Sequence, residues 1–180
     1  MIFFCEIHLV SNSLWILYDP SSALELPTPP GVISTCSIAF FEHFPSKNSF
    51  KKLNLCFKKG DRIIHIHCAS HGEYLLSKKL IENLKKRFEN HKFLLSFISP
   101  SGYENVKSDL FDCIIYLPLA TNKNCIKFYN IIKPTATFFI KNEVWPNYIK
   151  HAKMNGSKVY SIGGNFRTNF LKKLLKILIC

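Results

Sequence analysis

The sequence predicts an α/β domain with a Rossmann-like parallel sheet and helices on both faces, spanning residues 47–169. Three observations predict it. Short apolar runs alternate with amphipathic segments at intervals of about 20–30 residues, which is typical of parallel βαβ units. The runs are apolar at successive positions, as in strands that are covered on both faces. The 180 residues, 47% of them hydrophobic, are enough for one domain with its own core.

The first strand and helix follow from their side-chain patterns. The run RIIHIH at residues 62–67 predicts a strand because β-branched isoleucines dominate it. Residues 74–88 predict a helix because their apolar side chains recur on one face, while the lysines lie largely away from it. The predicted apolar face consists of Leu76, Leu80, Ile81, Leu84 and Phe88.

The next elements alternate in the same way. The run KFLLSFI at residues 92–98 predicts a second strand. A Ser-Pro-Ser segment then supplies a cap and an early proline for a short helix at residues 102–109. A third strand is predicted at residues 112–117 and a helix at residues 122–132.

The last unit completes the predicted sheet. The run TATFFI at residues 135–140 predicts the fourth strand, and the helix at residues 145–154 should end at the Asn-Gly pair that follows it. Residues 157–162 predict the fifth strand. Residues 1–46, in contrast, contain proline-rich breaker clusters and are predicted to be an irregular N-terminal segment.

The formal net charge of +12 indicates a partner that is rich in negative charge. Nucleic acid, an anionic membrane surface and a phosphorylated substrate all fit this charge. Scattered helical lysines also occur on plain solvated faces, so the charge alone does not choose among these. No aromatic platform or recognition helix accompanies it, which argues against nucleic acid.

The cysteines and apolar segments bear on the compartment. The seven cysteines include no C-x-x-C pair and several lie within apolar runs, which favours free thiols in a reducing compartment. No run approaches the roughly 18–20 apolar residues that span a bilayer. No basic segment precedes the apolar N-terminus, so a signal peptide is not expected. If the protein works at a membrane, it should lie against the surface.

The residues after the first strand are candidates for a functional site, because ligands bind at the carboxyl ends of parallel strands. Ser70, Gly72 and Glu73 occupy this position. The glycine should let the backbone turn sharply into the helix. Glu73 falls at the helix N-terminus, where the helix dipole favours a charged carboxylate. Glu73 is therefore a candidate general base for a sugar hydroxyl, and a purely capping glutamate is the alternative.

A second candidate group follows the fourth strand. Glu143, Trp145 and Asn147 place polar groups beside an aromatic ring, and hydrogen bonds together with apolar stacking suit a polyol. The alternative is a core tryptophan next to a capping glutamate. After the fifth strand, a Gly-Gly pair precedes Arg167, which could pair with an anion.

Residues of the types that bind zinc cluster around the first strand, but no metal site is expected. His65 lies within the predicted strand, where the covering helices should bury it, and Cys68 alternates to the other face. His67 and His71 alone do not complete a site. The G-x-G-x-x-G, Walker and G-x-S-x-G motifs of dinucleotide-binding proteins, NTPases and hydrolases are also missing.

Taken together and in order, these segments resemble the Kdo (3-deoxy-D-manno-octulosonic acid) transferases, most closely those of Bacteroidetes-type bacteria. Two motifs carry the resemblance: H-x-A-S-x-G-E and E-x-W-P-N each follow a strand at the separation typical of the family. The similarity covers about two-thirds of this chain and corresponds to the N-terminal half of a family member. The similar segments are IHIHCASHGEY (64–74), LIENLKKRF (80–88), FISPSGYENVK (97–107), IIYLPLATNKN (114–124), IKPTATFFIKNEVWPNYI (132–149) and VYSIGGNFRTN (159–169).

The resemblance implies the acceptor-binding half of a two-domain inverting glycosyltransferase of the GT-B type. It implies CMP-Kdo as the donor, a phosphorylated lipid A precursor as the acceptor, and neither a metal nor another cofactor. It also implies peripheral attachment at the cytoplasmic face of the bacterial inner membrane, whose anionic surface suits the basic charge. By the resemblance Glu73 is the general base, and the acceptor contacts are Ser70, Gly72, Glu143, Trp145, Asn147 and Arg167.

The chain also departs from the family pattern. His71 stands where the family usually has a small or aliphatic residue, and the helix start around Leu75 is less polar than usual. Residues 170–180 are predicted to be a basic amphipathic tail that suits a membrane surface, and the alternative is the abrupt end of a truncated or frame-shifted reading frame. In either case we expect the donor-binding domain to be missing from this chain. We therefore expect no sugar transfer by this chain alone, unless a separate donor-binding fragment complements it. The alternative is a non-catalytic α/β module that binds anionic ligands or membranes.

Overall fold

The computed structural model describes residues 46–107, 109–141 and 145–164. The predicted Rossmann-like α/β class is confirmed, and the predicted strands and helices are present with shifts at their ends. The elements in chain order are α1 (Ser46–Cys56), β1 (Ile63–Cys68), α2 (His71–Arg87), β2 (Lys92–Phe97), α3 (Pro100–Asn105), β3 (Cys113–Tyr116), α4 (Asn122–Ile132), β4 (Ala136–Ile140), α5 (Pro146–Met154) and β5 (Lys158–Ile162).

The described strands form a parallel sheet in the order β3-β2-β1-β4-β5. The chain first moves outward from β1 through β2 to β3, with α2 and α3 on one face of the sheet. It then crosses back to β4 and continues to β5, with α4 and α5 on the other face, which α1 also covers. The direction of winding therefore reverses between β1 and β4. Such a switch point opens a crevice at the carboxyl ends of the two strands.

Helix α1 is an addition to the predicted elements. Its sequence is rich in lysine and polar residues, which obscures the apolar spacing of Phe50 and Leu53. Both side chains are buried in the core between α1 and the sheet. Packing against the sheet therefore stabilises a segment whose pattern alone is weak.

The prediction for the buried face of α2 was wrong in one respect. Leu76, predicted to face the core, is 68% exposed, and Ser77 is buried in its place. The small Ser77 hydroxyl donates to the Tyr74 carbonyl at 3.0 Å, which satisfies it inside the core. The helix thus turns its Tyr74, Ser77, Ile81 and Leu84 side chains toward the sheet. Apolar spacing could not identify this face, because one of its members is polar.

The start of α2 also differs from the prediction. The helix begins at His71, so Gly72 lies within its first turn and does not form a sharp turn before it. Gly72 has no left-handed backbone angle, in contrast to Gly163, whose φ is +66° just after β5. The importance of Gly72 must therefore come from the space its missing side chain leaves, not from backbone freedom.

Helix α3 packs against the sheet through Gly102, so a side chain there should destabilise the fold. A Cβ added to Gly102 would lie 2.2 Å from Cδ1 of Phe97, which is fully buried. We expect Gly102→Ala to lower the free energy of unfolding by about 1–3 kcal/mol, as for other overpacked sites. Urea denaturation followed by circular dichroism measures this change.

Gly72→Ala is the matched control for that experiment. A Cβ at Gly72 would meet nothing nearer than the Ser70 hydroxyl at 3.9 Å. Alanine is also the better helix former, so this variant should be as stable as the parent or more stable by up to about 1 kcal/mol. Equal stability of the two variants would show that α3 moves away from the sheet at little cost.

Two buried histidines in β1 share one serine hydroxyl of β2. Ser96 Oγ lies 2.8 Å from His65 Nε2 and 2.9 Å from His67 Nδ1. All three residues have no exposed surface. Burial lowers the pKa of His65 well below its ordinary value of 6.5, and the neighbouring His67 lowers it further. His65 is therefore neutral in the folded protein near neutral pH.

Protein stability should consequently fall in mild acid. Below the ordinary pKa of 6.5, the unfolded chain takes up a proton on His65 that the folded chain does not bind. Stability is thus fully present above that pH and decreases as the pH drops from there toward the lower pKa of the folded state, by up to about 1.4 kcal/mol per pH unit. Urea midpoints at several pH values between 7.5 and 5 measure the slope. The slope should shrink in His65→Gln, and an unchanged slope would assign it to other groups.

Candidate active site at the switch point

The segments that follow β1 and β4 lie at the carboxyl edge of the sheet, beside the switch point between these two adjacent strands. Ser70, Gly72 and Glu73 lie at this edge, in the turn into α2 and in its first helical turn. Trp145 and Asn147 lie at the start of α5, after β4. The predicted site residues Glu143 and Arg167 fall outside the described residues, as do the predicted N-terminal segment up to residue 45 and the tail at residues 170–180.

Glu73 is held by one carboxylate oxygen and open at the other. Its Oε2 accepts a hydrogen bond from the Ala69 N–H at 2.6 Å, and the side chain is partly exposed. Within the described part of the chain, Oε1 has no hydrogen-bond partner. The Ala69 carbonyl in turn accepts the Ser99 N–H at 2.9 Å, which fixes the turn to the loop after β2. Glu73 therefore closes its own turn, and its second oxygen can accept a proton.

The first turn of α2 leaves polar groups available beside Glu73. Ser70 is the N-cap residue in extended backbone conformation, but its side chain makes no capping hydrogen bond. The first N–H groups of a helix lack partners within the helix and attract anions. Gly72 is exposed and adds no side chain here. The His71 ring lies parallel to Tyr74, with the centroids 6.1 Å apart, and forms part of the rim.

Three side chains of helix α5 attach it to the loop after β3 and to the first residue of α4. Asn147 Nδ2 donates to the Ala120 carbonyl at 2.7 Å, and the Tyr148 hydroxyl donates to the Pro118 carbonyl at 2.7 Å. His151 Nε2 and Asn122 Oδ1 form a short third hydrogen bond. The amide of Asn147 thus has a structural role, in addition to the acceptor contact that the motif implies. Sequence spacing gave no sign of this role, since the partner is a distant backbone carbonyl.

Trp145 contributes both to the core and to a small apolar hollow. Its side chain is partly buried and packs against the core cluster beneath α4 and α5. The hollow has a volume of only about 10 Å³, roughly one water molecule. This hollow is too small and too apolar to be the sugar site, and Glu73 is not among the residues around it. The lining residues are Ile98, Leu117, Pro118, Leu119, Ala120, Trp145 and Tyr148.

Lys141 is a residue of this edge that the sequence analysis missed. It follows β4 directly and has a φ of +60°, an uncommon angle for a residue with a side chain. Its N–H donates to the Ile162 carbonyl at 2.7 Å, which ties the turn to β5. The side chain is exposed. The chain thus places a positive charge where β4 ends. In the sequence, the one sign of this charge is the lysine itself, one residue after the predicted strand.

The candidate metal ligands around β1 are divided between the two faces of the sheet. His65 and His67 contact Ser96 on one face, whereas the Cys68 thiol lies 3.7 Å from the Ser77 hydroxyl on the other. Burial raises the pKa of Cys68 to about 12, which disfavours a thiolate ligand. In the described ranges, no three His, Cys, Asp or Glu side chains are arranged to hold a metal ion.

The helices of the described residues are too short or too polar to cross a bilayer. Exposed apolar side chains nevertheless occur beside the site. Leu75 is 56% and Leu76 is 68% exposed, directly after the turn that carries Glu73. They form an apolar step on the rim of the switch-point crevice.

A parallel sheet covered on both faces, with a partly exposed carboxylate beside its switch point, defines a Rossmann-like α/β domain of the kind that binds ligands at this edge. The sequence profile of the family described as 3-Deoxy-D-manno-octulosonic-acid transferase (kdotransferase) matches residues 41–178. This match includes the whole predicted domain at residues 47–169. The chain belongs to this family.

Individual relatives agree with the family match. A 3-deoxy-D-manno-octulosonic acid transferase of Aquifex aeolicus is 33% identical over 110 residues, which cover 60% of this chain and 30% of that protein. The enzyme of the same name from Rickettsia bellii is 30% identical over 92 residues, or 50% of this chain and 22% of the relative. A bifunctional glycosyltransferase/methyltransferase of Fusobacterium nucleatum is 29% identical over 131 residues, or 67% and 20%. The chain thus spans 30% or less of these relatives.

Proposed function

We propose that this chain is the acceptor-binding domain of a Kdo transferase and that Glu73 is its general base. In the proposed reaction, an acceptor hydroxyl attacks the anomeric carbon of CMP-Kdo and the bond to the CMP phosphate breaks. The hydroxyl proton passes to Glu73, and CMP leaves. The observation that carries this proposal is the partly exposed Glu73 carboxylate beside the switch point, which is anchored at Oε2 by Ala69 and has no partner for Oε1 among the described residues. The reaction needs neither a metal nor another cofactor.

The proposed acceptor is a phosphorylated lipid A precursor. The formal charge of +12, the first-turn N–H groups of α2 and the exposed Lys141 favour a phosphorylated ligand at this edge. In this proposal Ser70 and Gly72 contact the acceptor, which their place at the start of α2 supports, and Trp145 and Asn147 at the start of α5 contribute from the same edge of the sheet. For Glu143 and Arg167, the support is the family motif alone.

The surface beside Glu73 suits a lipid-linked acceptor. The apolar step of Leu75 and Leu76 is followed on α2 by the exposed Lys78 and Lys79. Apolar side chains next to lysines favour the interface of an anionic membrane. We therefore propose peripheral binding at the cytoplasmic face of the bacterial inner membrane, with the site turned toward the lipid.

Transfer should require a second domain that binds CMP-Kdo. The matched region covers 30% of the Aquifex aeolicus relative, so most of that protein lies outside the match. Orienting donor and acceptor is a large part of the rate enhancement in a two-substrate reaction. We therefore propose that the 180-residue chain alone does not turn over CMP-Kdo and that a separate donor-binding fragment would restore turnover.

Two measurements test the proposed function. The purified chain should bind a detergent-solubilised phosphorylated lipid A precursor, and a chimera in which it replaces the matching region of the Aquifex aeolicus enzyme should release CMP from CMP-Kdo. A folded chimera that binds the acceptor but transfers no sugar would contradict the proposed role of this domain in Kdo transfer. Equal binding to any anionic vesicle, unchanged by substitutions at Ser70 or Glu73, would support the alternative of a non-catalytic anion-binding module.

Gly72→Ala should weaken acceptor binding without harming the fold. The added methyl group meets no atom closer than 3.9 Å within the described residues, so it occupies space at the site. We expect the Kd for the acceptor to rise about tenfold, which corresponds to about 1.4 kcal/mol. Asn83→Ala, on the exposed surface of the same helix, is the control. An unchanged Kd would show that Gly72 is not part of the acceptor site.

A further inference from the structure

Helix α1 runs antiparallel to β3, and its buried face places two cysteines side by side. Near the carboxyl end of β3, the Ser49 hydroxyl donates to the Tyr116 carbonyl at 2.8 Å. Cys56 lies two helical turns after Ser49, about 10 Å along the axis and on the same face. Cys113 lies three residues before Tyr116, also about 10 Å along the strand. The two distances agree, so Cys56 is level with Cys113.

The backbone around both cysteines is fixed by further contacts. The Lys92 ammonium donates to the Cys56 carbonyl at 3.3 Å and pairs with Asp61 at 2.8 Å. The Asp112 carboxylate accepts the Phe93 N–H of β2 at 2.7 Å. Asp112 immediately precedes Cys113, the first residue of β3. The end of α1 and the start of β3 are thus attached to the same end of β2.

Cys56 and Cys113 belong to the same part of the core, between α1 and β3. The partly exposed Cys56 packs against the cluster that contains the buried Cys113, and both thiols are free. Burial is the main cause that raises the pKa of Cys113, and a hydrogen bond with the Cys56 side chain raises it further. The remaining described cysteines, Cys68 and Cys125, are both buried.

We propose that Cys56 and Cys113 are an oxidisable pair that forms a disulfide between α1 and β3 when the chain meets a small-molecule disulfide. The accessible Cys56 thiolate attacks a sulfur of that oxidant, which forms a mixed disulfide and releases one thiol. The Cys113 sulfur then attacks Cys56 Sγ, gives its proton to the departing thiolate and releases the second thiol. The protein loses two hydrogens, and the small-molecule disulfide gains them.

The disulfide would close a loop that contains β1, α2, β2 and α3. Closing a loop of this length restricts the unfolded chain and should raise the thermal midpoint by several degrees. It would also attach α1 covalently to β3, which lies at one end of the described sheet. In a reducing compartment the pair stays as two thiols, and the disulfide forms only when conditions become oxidising.

The test uses the full 180-residue chain with Cys5, Cys36 and Cys180 replaced by serine, which leaves the four cysteines of the described region. The chain is treated with oxidised glutathione under native conditions, and the products are mapped by non-reducing peptide mass spectrometry. We expect one cross-linked peptide pair containing Cys56 and Cys113, with a higher thermal midpoint. In Cys113→Ser, Cys56 should instead retain a glutathione adduct.

Two outcomes would overturn the proposal. A stable glutathione adduct on Cys56 in the presence of Cys113 would show that the two sulfurs cannot reach bonding distance. A cross-link of Cys56 to Cys68 or Cys125, or no reaction at all, would show that the pair is not the reactive one. A Cys125→Ser variant should cross-link like the parent, since Cys125 is not part of the pair.

Discussion

Glu73→Gln should lower the turnover number of the chimeric two-domain enzyme by about 100- to 10,000-fold, the usual contribution of a general base. Glutamine retains an oxygen that can accept the Ala69 N–H, which Glu73 Oε2 accepts at 2.6 Å. The turn into α2 should therefore keep its shape and the acceptor should still bind. The amide cannot take a proton, so only the chemical step suffers. CMP release at saturating acceptor measures kcat, and its acceptor dependence gives KM.

The matched control is Glu82→Gln on the same helix. Glu82 lies 3.8 Å from Lys79 in an exposed ion pair and should not affect kcat. If Glu73 served only to close the turn, Glu73→Gln would leave kcat within about threefold of the parent, a change of less than 1 kcal/mol in the barrier. That result would show that Glu73 is not the general base and acts only as a capping residue.

Ser96→Ala should be the most destabilising of the single substitutions considered, by about 2–5 kcal/mol, because each buried polar group left without its partner costs about 1–3 kcal/mol. The variant takes one shared hydroxyl away from His65 and His67, both fully buried in β1. The position has no exposed surface, so it is shielded from bulk water. A loss of this size is a large part of the stability of a typical domain.

Urea denaturation of the 180-residue chain measures this effect, with Ser101→Ala as the control. Ser101 is exposed on α3, and its replacement should change the free energy of unfolding by less than about 0.5 kcal/mol. A double-mutant cycle of Ser96→Ala with His65→Gln separates the shared hydrogen bond from the loss of volume. Additive effects in the cycle would contradict a direct coupling between Ser96 and His65.

Local pattern predicted most elements of this fold but not how they face the sheet. The strands are found where short apolar runs occur, because the central strands β1, β2 and β4 are buried on both faces and most of their positions are apolar. Helix α2 was assigned the wrong face at Leu76, because the buried position belongs to Ser77. Helix α1 escaped prediction for a related reason: its stability comes from packing on β3 rather than from its own composition.

The sequence by itself determined the alternation of strands and helices, the fold class, and the placement of Glu73 at the start of a helix, since these depend on neighbouring residues. Only the tertiary structure decided that β4 lies beside β1, because strand order follows from how the crossovers pack over the sheet. That adjacency places the switch point of the sheet at the edge near Glu73. The attachment of Asn147 to Ala120 and the approach of Cys56 to Cys113 have the same origin. Contacts between residues far apart in the chain carry no periodic pattern, so they emerge only when the sheet is assembled.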